Sequence, residues 1–271
     1  MTPDELADRE TTLDPGRQVH LGIWRDEHDD LTRDVFTWNV PDLPRVAREA
    51  MAAGVRDDVE GTHAGNLGLL LEPGYQPLET GIARTPDGGL SVNVWTALPG
   101  ATPAMVDWWM GWHLSSTERY KLWHPQAHLF SQPRYDLSDV PGLTDRERYV
   151  GNTSWVDEYL GPFAARLAIT FHDPAEIGLP YDALDESGHG TAVYGVTADS
   201  DHGTELARLV HAVRRTPWGC EMRSRFLFGP GTPDLIGPPM LDHCATEMAH
   251  LATFLPRLYA RVTGSGPHGR L

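Results

Sequence analysis

Polar and apolar residues alternate along Leu90-Ser-Val-Asn-Val-Trp-Thr-Ala97, which is rich in β-branched side chains and ends at Pro-Gly, so it reads as a strand. Residues 149–159, 164–171, 191–198 and 207–215 read as strands too, and 220–228 alternates after a Thr-Pro-Trp-Gly turn. Elsewhere the period turns helical. Residues 44–51 suggest a helix with Gly54 as its stop. Thr102-Pro103 offers an N-cap followed by proline, opening a helix that carries Met105, Val106, Trp108, Trp109, Trp112 and Leu114. That helix is aromatic nearly all round, so burial on more than one side is expected. A further turn or helix reaches toward Trp123, and Pro125 ends or kinks it. Met248, Leu251, Leu255, Leu258 and Val262 recur at three- and four-residue steps and mark a long amphipathic helix over 241–262. Residues 63–68, 74–77, 136–148 and 229–239 read as loops.

This order predicts an α+β fold in which a curved antiparallel sheet grips a long C-terminal helix, with a cavity between them. The less regular start suggests a small N-terminal domain over residues 1–82, ahead of a main domain over 83–271.

The net charge of −16 lacks the basic footprint that phosphate binding needs, so a nucleic-acid partner is not expected. The first residues lack the basic-then-apolar pattern of a signal peptide, and no apolar run approaches the roughly 18 residues of a membrane span. Two cysteines without CxxC spacing argue against a disulfide framework and fit a reducing cytoplasm. Thirteen histidines is the unusual count, so a metal here would be held by imidazole and carboxylate.

The densest chemistry lies in Arg119-Tyr-Lys-Leu-Trp-His-Pro-Gln-Ala-His128. Pro125 separates His124 from His128, so helical spacing cannot be assumed for the pair. His243 and Glu247 lie four apart on the expected terminal helix and project from one face, either as half a metal site or as a surface pair. Glu158 sits among bulky residues in a strand; if it faces inward a cation is its natural partner, though Asp157 is equally placed to be the inward one. Alternation puts His211 on one face with Leu209 and Val213, as an acid/base or as a hydrogen-bonded core histidine.

Trp108-Trp109, Trp112-His113, the Arg119–His128 stretch, Glu158, His211, Glu221-Met-Arg-Ser-Arg-Phe226 and His243-x-x-x-Glu247, taken in order, resemble the diacetylphloroglucinol hydrolase family over about residues 90–260. The resemblance implies a START-like helix-grip fold with a small N-terminal domain. It implies zinc-dependent hydrolysis of the carbon–carbon bond between an acyl group and a phenolic ring. Residue by residue, it makes His128, Glu158, His243 and Glu247 the metal ligands, with iron or manganese as alternatives to zinc. It makes Tyr120 a hydrogen-bond donor to substrate and His211 the catalytic acid/base. Ser131 and Phe226 stand where the family pattern has an asparagine and a tyrosine that bind substrate, so a different set of ring hydroxyls is expected to be read.

The expected substrate is a small aromatic or polyketide-like molecule, and a homodimer is compatible with this reading. Two other classes compete. One is a metal-bearing polyketide tailoring enzyme, a cyclase or an oxygenase; the other is a non-enzymatic helix-grip module that binds an aromatic ligand. The tryptophans Trp108, Trp109, Trp112 and Trp123 are candidates for a cavity wall or for plain core.

Overall fold

The computed structural model describes residues 2–265; the end of the expected 83–271 unit, residues 266–271, lies outside them. Helices α1 (Pro3–Ala7), α2 (Asp30–Val35) and α3 (Arg45–Ala53) precede strands β1 (Val55–Arg56), β2 (Gly81–Arg84) and β3 (Leu90–Pro99). Then come α4 (Pro103–His113), α5 (Thr117–Trp123), β4 (His128–Pro133), β5 (Thr153–Leu160) and β6 (Phe163–His172). Helix α6 (Tyr181–Glu186), strands β7 (His189–Asp199), β8 (Glu205–Thr216) and β9 (Gly219–Phe228), and helix α7 (Gly237–Thr263) follow. The strands form one nine-stranded sheet in the order β1-β2-β3-β9-β8-β7-β6-β5-β4. Among the described residues only β1 and β2 pair in parallel.

The α+β helix-grip expectation agrees with this architecture. Helix α7 lays Met240, Leu241, Cys244, Met248, Leu251, Leu255 and Leu258 into the core formed with Val92, Val94, Val213 and Met222 of the sheet. The Gly/Pro run read as a loop as far as residue 239 instead contains the first turn of α7, because proline lacks only an N–H that the first turn leaves unpaired anyway. Thr102 caps α4 as expected, its hydroxyl accepting the Met105 N–H. The start of α4 packs so closely on β7 that a Cβ on Gly190 would meet Pro103 at 2.5 Å.

A second core lies on the other face of the sheet. Leu67 and Leu70 from a 3-10 turn over Ala64–Leu71, with Leu179 and Leu184, cover Ala192, Tyr194, Val210 and Ala212. The central strands are therefore buried on both faces, which explains the nearly unbroken burial along β7 from His189 to Gly195. The 82/83 boundary expected between two domains falls inside β2, and β2 pairs with β3 along its whole length.

The chain before β1 also touches the sheet. The Thr11 N–H donates to the Arg134 carbonyl at 2.8 Å, the Thr11 hydroxyl donates to the Pro133 carbonyl at 2.6 Å, and Glu10 bridges to Tyr135. Residues 10–11 thus run beside the end of β4, the edge strand. No helix among the described residues is long and apolar enough to cross a membrane.

Candidate active site

Strand β4 and helix α7 bring together residues 115 positions apart: His128 Nε2 and His243 Nε2 face each other at 3.4 Å. Each ring is fixed from behind. His128 Nδ1–H donates to the Tyr120 carbonyl at 2.9 Å, and His243 Nδ1–H donates to the Tyr159 carbonyl at 3.0 Å. A carbonyl only accepts, so both protons sit on Nδ1 and both Nε2 atoms present lone pairs. Neither ring can donate to the other, and a cation between them would resolve that opposition.

Glu247, one helical turn after His243, places Oε2 3.6 Å from His128 Nε2 and 3.8 Å from His243 Nε2. Glu158 on β5 places Oε2 3.8 and 3.9 Å from the same two nitrogens. Donors of a tetrahedral zinc at about 2.0–2.1 Å lie roughly 3.3 Å apart, so His128, His243 and Glu247 need only a small contraction, while Glu158 approaches the two imidazoles but stands outside that mutually close group. His128, His243 and Glu247 form a buried group that could hold a metal ion.

The two adjacent acidic residues of β5 part company. Glu158 faces the imidazoles, while Asp157 takes a hydrogen bond from Arg17 Nε at 3.0 Å in a buried ion pair on the opposite face. The Tyr120 hydroxyl donates to Glu158 Oε2, so the proton that the resemblance gives to substrate is here given to the carboxylate.

The protein groups alone push Glu158, Glu247, His128 and His243 toward their neutral forms. Burial raises Glu158 to about 7 against the Tyr120 hydrogen bond, with the Asp157 charge adding to the rise. Burial, then the Glu158 charge, raises Glu247 well above the carboxylate range. Burial lowers His243 to about 4 and, helped by His243 and His124, takes His128 well below the imidazole range. Glu247 receives no hydrogen bond from any described residue, and a bound divalent cation would reverse these tendencies.

Glu158, His243 and Glu247 line a cavity of about 70 Å³ between the sheet and α7. Apolar side chains dominate its wall: Met110, Leu114, Val156, Ile169, Phe171, Leu209, Phe226 and Met240. His211 lines it from β8, with Nδ1 2.8 Å from the Ser224 hydroxyl directly opposite on β9. Phe226 meets the His211 ring edge-on at 5.8 Å. Ser131 does not line the cavity; its hydroxyl lies 3.2 Å from that of Ser154, which does.

Of the four tryptophans, only Trp123 lines the cavity; Trp109 and Trp108 are buried in the core, and Trp108 stacks on half-buried Trp112 at 5.1 Å. His124 stands beside the donors, 4.9 Å from the His243 ring, but outside the group. His113 and Ser154 also line the cavity, and neither has a role assigned from the sequence. The signal available for His113 was its place one helical turn after Trp109, on the buried side of α4.

A curved antiparallel sheet gripping a C-terminal helix, with two histidines and two glutamates at the end of an apolar cavity, defines a helix-grip protein with a candidate metal centre. Residues 62–237 match the DAPG hydrolase PhiG domain, and the chain belongs to that family. It is 32% identical over 222 residues to a 2,4-diacetylphloroglucinol hydrolase of a Pseudomonas species, covering 72% of this chain and 75% of that one. Identity to the 2,4-diacetylphloroglucinol hydrolase of Pseudomonas protegens is also 32%, covering 72% of each. Phloretin hydrolase of Eubacterium ramulus is 29% identical over 206 residues, covering 69% of this chain and 72% of the relative. The crystal structure of Ara h 8.0201 superimposes with a TM-score of 0.40 at 9% identity, covering 62% of this chain and 98% of that one.

Proposed function

We propose that this chain is a zinc-dependent hydrolase that cleaves the carbon–carbon bond between an acyl group and a phenolic or polyketide-like β-diketone ring. One observation carries the reading: two imidazole lone pairs converge 3.4 Å apart beside Glu158 and Glu247, at the end of an apolar cavity that His211 also lines. Similarity to proteins named for hydrolysing 2,4-diacetylphloroglucinol and phloretin supports the substrate class. In this reading His128, His243, Glu247 and Glu158 hold the ion. Bound zinc would polarise the acyl carbonyl and acidify water.

The net reaction adds water: the ring carbon gains hydrogen and the acyl carbon gains hydroxyl. A ring hydroxyl must first become a ketone, moving its proton to the carbon that carries the acyl group. His211 is the group to move it. The Ser224 hydroxyl at Nδ1 can accept or donate, and burial draws His211 to about 4, so a proton taken at Nε2 is readily given up to carbon. Glu247, which no described residue hydrogen-bonds, would take the proton that the attacking water loses on the carboxylate oxygen it does not give to the ion. The breaking bond leaves its electron pair on the ring, whose oxygen regains that proton. Tyr120 can turn its hydroxyl to the phenolic oxygen by releasing Glu158.

The test is incubation of zinc-loaded protein with acylated phloroglucinols, following products by mass spectrometry. Deacylated phenol and carboxylic acid should form in equal amounts. A chelator should stop their formation, and zinc should restore it. Failure to deacylate any acylphenol at full zinc occupancy would end this reading.

A further inference from the structure

His113 is a cavity residue to which the reaction above gives no task. Its ring ends α4 and is held on several sides. Nδ1–H donates to the Trp109 carbonyl one turn back at 2.7 Å. One face stacks on the Trp109 indole, 5.0 Å between centroids and 15° from parallel, and Trp123 meets the ring edge-on at 5.0 Å. Because the carbonyl accepts, the proton is on Nδ1 and Nε2 keeps its lone pair. No described residue bonds to Nε2, and the ring contributes to the cavity wall together with Tyr120 and His211. Tyr120 lies between His113 and His128, with its ring 6.1 Å from the first and 3.7 Å from the second, so His113 is not part of the donor group.

We propose that His113 reads one ring hydroxyl of the substrate, accepting its hydrogen bond at Nε2, and is thereby a specificity-determining residue of the acylphenol site. This rests on the acylphenol reading given above. The surrounding chemistry supports it. A phenolic hydroxyl carried into this cavity must find an acceptor, because a buried donor without one forfeits its bond to water. Leu114, Ile169, Phe171, Leu209 and Phe226 offer none. Burial, opposed by the Trp109 bond and aided by the Arg119 charge, draws His113 to about 4, so the ring is a neutral acceptor across the ordinary pH range.

The test compares an acylated trihydroxybenzene with analogues in which one ring hydroxyl at a time becomes hydrogen or methoxy. Each is assayed as substrate and as competitive inhibitor of zinc-loaded wild type and of His113→Phe, which keeps a flat ring on Trp109 but has no acceptor. One hydroxyl should stand out: its loss should weaken binding to wild type roughly tenfold or more and leave His113→Phe unchanged. If every replacement costs both proteins the same factor, the proposal is overturned. His113→Asn, too short to reach the cavity with an acceptor, repeats the comparison should the phenylalanine variant not fold. Wild type that binds and deacylates no acylphenol overturns the functional reading itself. Unequal handling of hydroxyls with no change at His113 overturns only this inference.

Discussion

The ring of Tyr120 lies flat on that of His128, centroids 3.7 Å apart and 4° from parallel, while its own carbonyl takes the His128 Nδ1–H at 2.9 Å. One residue therefore sets the plane and tautomer of an expected ligand and, through its hydroxyl, holds the carboxylate of a second, Glu158. Tyr120→Phe should keep the stack and lose the carboxylate bond. Zinc affinity, measured by competition with a chelator, should fall about 10- to 100-fold. Part of the lost activity should return in excess zinc.

Removing a donor should do more. In His243→Ala, His128 Nε2 loses the nitrogen it faces. Elemental analysis should find about one zinc per wild-type chain and almost none in the variant, with activity down by more than about 100-fold. A metal-free His243→Ala preparation with full activity would refute the proposed centre.

His211 is predicted to separate chemistry from metal binding. His211→Asn should retain zinc and lose about 10²- to 10⁴-fold in kcat. Burial lowers His211 from 6.5 to about 4, and the neutral ring is the form that accepts the hydroxyl proton. Wild-type kcat/KM should therefore hold as pH falls through the ordinary histidine range and drop only near a pH of about 4. An acid limb centred near 6.5 would assign the titration to another group.

Stability at low pH should depend on Glu79, which pairs with Arg223 and Arg225, two fully buried guanidinium groups on the face of β9 away from the cavity. Burial alone would raise its carboxyl, but the Arg223 hydrogen bond and the Arg225 charge bring it from 4.5 down to about 2. A depressed acid contributes stability above its unfolded pKa, so this contribution should fade as pH falls from 4.5 toward 2. Denaturant unfolding should show Glu79→Gln losing about 3–5 kcal/mol near neutrality, because two buried charges lose their partner. The gap to wild type should close in acid.

Elements with a strong period were legible in the chain: β3, the capped α4, strands β7 to β9 and α7 all follow from alternation or helical spacing. β4 was not, because His128–Pro133 is a short edge strand ending in proline, with a register shift between His128 and Phe130. Much of β1 and β2 and all of α6 were too short to declare a period. In the site, helical spacing paired His243 with Glu247, but alternation alone could not choose between Asp157 and Glu158. Arg17 makes that choice, from 140 positions away. Ser131 was weighed by its place in a motif, whereas the fold sets Ser154 between it and the cavity.

The pairing of Thr11 with the carbonyls of Pro133 and Arg134 has a further consequence. β4 ends the sheet, and an uncovered sheet edge is a template on which another chain can add a strand. The opposite edge ends in the two-residue β1, too short to template much. Residues 10–11 therefore act as insulation at the end of the strand that carries His128. Cutting the chain just before Arg17 would keep the buried Arg17–Asp157 pair and both apolar cores, yet bare that edge as a template on which a second chain could add a strand.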